Sequence, residues 1–260
     1  MQRCAGVLSS TAMLRGEGPG GGVFQKVMRD AALVRVVDTS TVANLRSFAG
    51  QLPAVADRMR AQATPEALAE LAALTRSAFR AGVDRPPFAP ELLDLNARGR
   101  EPVTAHATAL AVRLVADDAT FAPADLVGRQ VARLANALTS LPERIAEAPR
   151  GGEALTDLAE RFCWLHAAAC CLLQWWHNRD AAPFGTEPGD AGWLGAALAY
   201  LLARADGTDP RREAAALEPA LETVVSLLER RLLFSSVPVR LADQTDPISH
   251  DQGETWPHPN

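Results

Sequence analysis

The stretch from Glu153 to Arg179 constrains the fold more than any other part of the chain. Leu155, Leu158, Phe162, Leu165, Ala169, Leu172 and Trp176 recur at steps of three and four. That spacing makes one stripe on an α-helix and scatters over both faces of a strand. So long an apolar stripe has to be covered by other helices. The longest apolar run, Phe162 to Trp176, is interrupted by His166 and Gln174 and is too short to span a bilayer. The same period returns in Val42, Leu45, Phe48, Ala49, Leu52 and Val55, and again in Leu68, Leu71, Leu74 and Phe79. Ala and Leu dominate, and alternating β-branched runs are lacking. The predicted fold class is all-α, an antiparallel helical bundle or bundles, with helix over more than half of the chain and no sheet.

Punctuation divides that pattern. Helices are expected over 2–14, 23–33 and 39–62, the last kinked or restarted at Pro53. Thr64-Pro65-Glu66 supplies a cap and a first-position Pro for a helix to about Ala81. Further helices are expected over 103–118, over 123–148 with Pro142 breaking it in two, and over 190–204 and 210–233. Asp209-Pro210 caps the last, and Pro219 kinks or restarts it. Pro86, Pro87, Pro90, Gly99 and Pro102 mark a linker. The expected organisation is a helical segment over 1–82, a linker over 83–102, a second bundle over 103–236 and a mobile tail over 237–260. His250 and His258 fall in that tail and are expected to be exposed and idle.

Composition narrows the function classes. The chain has 260 residues, 48% hydrophobic and 22% charged, with a formal net charge of −5. That is a globular balance with no basic footprint for nucleic acid, and no membrane segment. Four cysteines, Cys4, Cys163, Cys170 and Cys171, make no disulfide framework at this length. Met1-Gln2-Arg3-Cys4 leads into no apolar leader, so a reducing, cytoplasmic location is expected. The glycine-rich Arg15–Gly22 loop lacks the Lys-Ser/Thr of a phosphate-cradling P-loop. Cys163, His166, Cys170, Gln174 and His177 share a face beside the apolar stripe. Ligands strung along one helix cannot surround one ion, so no metal set is assigned.

The stretch Phe24–Leu45 carries the chain's one Lys, Lys26, then Arg29-Asp30-Ala31, a lone acid at Asp38, and Thr39-Ser40-Thr41 before an amphipathic run. Asp38 or Ser40 suits the N-cap of that run, where the orphan amides would also hold a carboxylate or phosphate. The stretch resembles the acyl-CoA dehydrogenase family, in which a helix with Arg-Asp-Ala leads over a fixed interval to an acid-Gly-Thr element. The resemblance places Asp38 at the catalytic base and Ser40 at the flavin-contacting Thr. Here the acid is Asp, one methylene shorter than Glu, and Thr39 stands for the Gly. The family's Gln-x-x-Gly-Gly-x-Gly run, which touches a neighbouring subunit's flavin, falls on Gln2 and Gly6 with a longer segment between. Leu165-His166-Ala167-Ala168-Ala169 and His177-Asn178-Arg179 resemble elements of an extra C-terminal helical region in long actinobacterial-type members.

The resemblance implies a C-terminal helical portion or subunit of a flavoprotein that oxidises an acyl thioester. It implies FAD in a shared or incomplete site, and a homo-oligomer or a partner chain bearing flavin domains. The chain would begin inside the family's C-terminal domain, without the amino-terminal helical and middle β domains. Two other readings stand beside it. One is a non-catalytic helical assembly module completing another chain's flavin site, and the other is an unrelated helical ligand-binding protein. Asp38 is either a base or a plain N-cap.

Overall fold

In the computed structural model the described residues are 26, 30, 33, 41–83, 101–117, 120–121, 125–181 and 186–232. Apart from turns, loops and a lone bridge residue at Leu232, they form helices: α1 Thr41–Ala61, α2 Pro65–Phe79, α3 Pro102–Ala116, α4 Leu126–Glu147, α5 Glu153–Asn178 and α6 Gly192–Ala205. A 3₁₀ helix, Pro210–Ala216, and α7, Glu218–Glu229, complete the set. The expected all-α class holds for these residues.

The long apolar stripe is the axle. Helix α5 packs against α1, α2, α3, α4 and α6, and its Leu165, Leu172 and Leu173 are fully buried. Each such leucine contributes about 1.5–3 kcal/mol over an exposed one. Around it, α4 buries Leu134, Leu138, Leu141 and Ile145, and α6 buries Leu194, Leu198 and Leu202. Helices α1 and α2 pack on α3, α4 and α5, across the residues expected as a linker. Chain ends are set locally. Thr64 Oγ1 accepts from the Ala67 amide and Asp209 Oδ1 from the Arg211 amide, as the Thr-Pro and Asp-Pro pairs predict.

One expectation needs correction. Pro142 does not break α4, which runs unbroken from Leu126 to Glu147. A helix-interior Pro costs about 3 kcal/mol, but here the residues on both sides of it, Leu138, Leu141 and Ile145, are fully buried and hold the turns in place. The Arg60 guanidinium also donates to the Pro142 carbonyl at 3.3 Å. The 210–233 pattern restarts at Glu218-Pro219, as Pro219 predicts, with a 3₁₀ helix before the restart and α7 after it. Pro53 lies inside α1.

Small residues decide how α6 seats. A methyl at Gly192 would lie 2.8 Å from Pro219 Cβ, and one at Gly195 would lie 3.1 Å from Val127 Cγ2. An ionic bracket ties the far end. Arg133 donates to Asp206 and Glu213, both at 3.1 Å, and Arg161 donates to Asp206 at 2.8 Å.

Candidate functional site

The sequence-predicted positions Gln2, Gly6, Asp38 and Ser40 lie outside the described residues. Their flanks are described. Lys26, Asp30 and Leu33 are helical, with Lys26 Nζ paired to Asp30, and α1 begins at Thr41. Immediately after those positions in the chain, the first turns of α1 meet the start of α5. An open groove of about 720 Å³ runs between them, lined by Val42, Arg46, Gly50, Gly151, Gly152 and Thr156 among others. Gly151 takes a left-handed φ of 76°, which lets the chain turn into α5 at Gly152. The starts of two helices therefore line one groove, and amides at a helix start favour anionic ligand groups. Glu153 and Asp157 on the same wall oppose that preference.

The polar face of α5 divides between two centres. At the first, Glu101 caps α3: its Oε1 accepts from the Val103 amide at 3.0 Å and its Oε2 from the Thr104 amide at 2.8 Å. The Thr104 hydroxyl also donates to Oε2. His166 Nδ1 stands 3.3 Å from Glu101 Oε1. That is close enough to pair charges, yet Nδ1 is buried and not aligned as a hydrogen-bond donor. The Cys170 sulfur one turn along, together with Glu101, raises His166 to about 10. Burial pushes Glu101 up, but His166 and Thr104 outweigh it and hold it below the usual carboxylate range. At neutral pH this centre is an imidazolium–carboxylate pair clamping the start of α3 to α5. A protonated His166 cannot serve as a general base. Sequence reasoning placed Glu101 in the linker. Its signal was Glu immediately before Pro102, a first-position Pro, with Thr104 two residues on.

At the second centre, Thr75 Oγ1 lies 2.6 Å from His106 Nδ1, both buried. The hydroxyl also reaches the Leu71 carbonyl at 2.9 Å. One hydroxyl proton cannot serve both, so the satisfying arrangement has Thr75 donate to Leu71 and His106 Nδ1–H donate to Thr75. Burial lowers the His106 pKa and keeps the ring neutral. His177 lies 6.1 Å away between ring centres. Burial, then His106 and the neighbouring arginines, push it down to about 4. Asn178, the middle of His177-Asn178-Arg179, is buried, and its amide staples α2 to α5. Nδ2 donates to the Phe79 and Gln174 carbonyls, and Oδ1 accepts from the Ala81 amide, each at 2.8 Å.

The remaining polar residues of α5 are inert or structural. Burial raises the Cys163 thiol and lifts Cys171 to about 11, so neither is an activated nucleophile. Among the described residues no three His, Cys, Asp or Glu side chains are placed to share a metal ion. Trp175 is buried against Phe121, and its Nε1 donates to the Asp190 carbonyl at 3.0 Å. No helix among the described residues is long and apolar enough to cross a membrane. Comparison with models of protein families, with curated proteins and with solved structures finds no match.

Proposed function

We propose that this chain is the C-terminal helical part, or a helical subunit, of an acyl-CoA dehydrogenase-like flavoprotein acting on an acyl thioester. The observation that carries the reading is the groove between the first turns of α1 and α5. Its α1 wall starts at Thr41, the residue that follows Asp38-Thr39-Ser40 in the chain. In this reading Asp38 accepts the acyl α-proton, and desolvation beneath the substrate raises its pKa toward that task. Ser40, Gln2 and Gly6 edge the cofactor, and the Arg46 side of the groove offers it a cationic wall. FAD, when bound, supplies the hydride acceptor. The described residues give one open wall of such a site, so the chain works with flavin-bearing domains or a second subunit.

The test is co-expression of the chain with the reading frames beside its own, followed by purification. A complex carrying flavin absorbance that acyl-CoA bleaches anaerobically supports the reading, and colourless preparations in every combination refute it. In an active complex, Asp38→Asn should abolish α-proton exchange, because losing a general base costs typically 10²–10⁴-fold.

The second reading, a non-catalytic assembly module, is favoured by exposed apolar side chains on α7, Leu221 at 62% and Leu228 at 65%. Full exchange activity in Asp38→Asn would select it, since Asn caps a helix nearly as well as Asp.

A further inference from the structure

The end of the bundle where α2 and α5 finish beside α3 is strongly cationic, although the whole chain is acidic. Two guanidinium groups stand over the Trp176 ring there. Arg179 Cζ is 3.7 Å and Arg113 Cζ 4.9 Å from its ring centre. Arg179 Nη1 donates to the Trp176 carbonyl at 2.5 Å. Arg80 Nη1 donates to the His177 carbonyl at 2.7 Å. Arg76, Arg80 and Arg179 all act electrostatically on His177, and Arg113 on His106. Arg76, Arg113 and Arg179 are exposed. The carboxylate bonded within the patch is Asp180, which takes Arg80. His177 Nε2 is buried and has no partner among the described residues.

Such an excess of like charge is unfavourable unless something answers it. Asp180 also answers the Arg179 charge, and the ring of Trp176 holds both Arg113 and Arg179. A cation over an indole is oriented by the ring quadrupole, so less freedom is lost when the guanidinium next engages a ligand. A guanidinium presents a planar fork that matches phosphoryl oxygens in pairs. We propose that Arg113 and Arg179 over Trp176, together with Arg76 on α2, form a binding site for a phosphate-bearing anion. Its cations come from α2, α3 and the end of α5, so a ligand with two phosphoryl groups can engage more of them than a single phosphate can. It stands on residues separate from the flavoprotein reading and does not depend on it.

Calorimetric titration of the full chain with inorganic phosphate, pyrophosphate, AMP and ADP tests this. Pyrophosphate and ADP should bind, phosphate and AMP more weakly, with affinity falling as salt rises. Equal affinity for pyrophosphate and ADP assigns the free anion, and tighter ADP assigns a nucleotide. The double variant Arg113→Gln/Arg179→Gln should weaken pyrophosphate by at least about tenfold, equal to about 1.4 kcal/mol. Arg211→Gln, whose arginine is fully exposed and pairs with Asp209 elsewhere, should bind as wild type. If the double variant loses its helical signal, Arg76→Gln, which removes an exposed side chain, should still weaken pyrophosphate severalfold. Failure of every anion to bind, or equal binding by the arginine variants and wild type, overturns the proposal. Equal loss in Arg211→Gln overturns it as well.

Discussion

Replacing Asn178 by Ala should destabilise the protein by roughly 2–4 kcal/mol without changing its helix content. The side chain is 1% exposed and serves three backbone groups. Gln174 lies inside α5, so its carbonyl keeps its helical partner; the Phe79 carbonyl and the Ala81 amide, at the C-terminal end of α2, lose theirs. Those groups belong to a helix end with no intrahelical bonds of its own there. Each net hydrogen bond is worth about 1 kcal/mol, and a buried group left unpaired costs about 1–3 kcal/mol. Both sites are part-buried, which keeps the sum below the fully buried limit. At roughly 2–4 °C per kcal/mol for a chain near this length, the melting temperature should fall by about 4–16 °C. Asn178→Asp separates stapling from simple volume. It keeps an acceptor for Ala81 but removes the donor to Phe79 and Gln174, so it should fall about as far. Urea and thermal unfolding followed by circular dichroism measure both. A loss under about 1 kcal/mol in Ala, or an Asp variant as stable as wild type, would refute the staple.

The other predictions concern charge and close packing. His177 and His106 are lowered, so unfolding takes up protons, and their contribution to stability should be constant above about pH 6.5 and decline as pH falls from there toward the His177 value of about 4. His177→Gln should shallow that decline in an unfolding series against pH. His166 is raised to about 10, so its contribution is complete below about 6.5 and is lost as pH climbs through 10. Glu101→Gln should flatten that alkaline slope and cost about 1–3 kcal/mol near neutrality, read by urea midpoint. Gly192→Ala should cost about 1–3 kcal/mol, because its methyl would meet Pro219 Cβ at 2.8 Å; a neutral midpoint would show that α7 yields easily.

The helices were legible because their evidence is repetitive. The stripe from Leu155 to Trp176 samples one periodicity seven times, and local caps at Thr64 and Asp209 repeat familiar chemistry. Pro142 misled because intrinsic propensity is a local quantity, whereas the burial that holds α4 straight comes from other helices. Glu101 was hidden for a related reason. Its role depends on His166, 65 positions away, and Glu is an uncommon cap. His106 was passed over as one more residue of an amphipathic run, since nothing near it in sequence announces Thr75. The likeness around Asp38 rests on residue order alone. The cationic end could not be read from composition, since its arginines lie on three helices and the chain's net charge has the opposite sign.

The position of α5 has a consequence for motion. Because five other helices rest on it, its central amides can meet solvent only when the whole bundle comes apart. Their hydrogen exchange should therefore report the global unfolding equilibrium. The 3₁₀ helix and α7 lean chiefly on α6, with Leu227 as the single buried residue of α7, so their amides exchange through a smaller opening that leaves the axle intact. The molecule thus has an order of release: a protease or a rising denaturant meets the α7 end first and the α5 centre last.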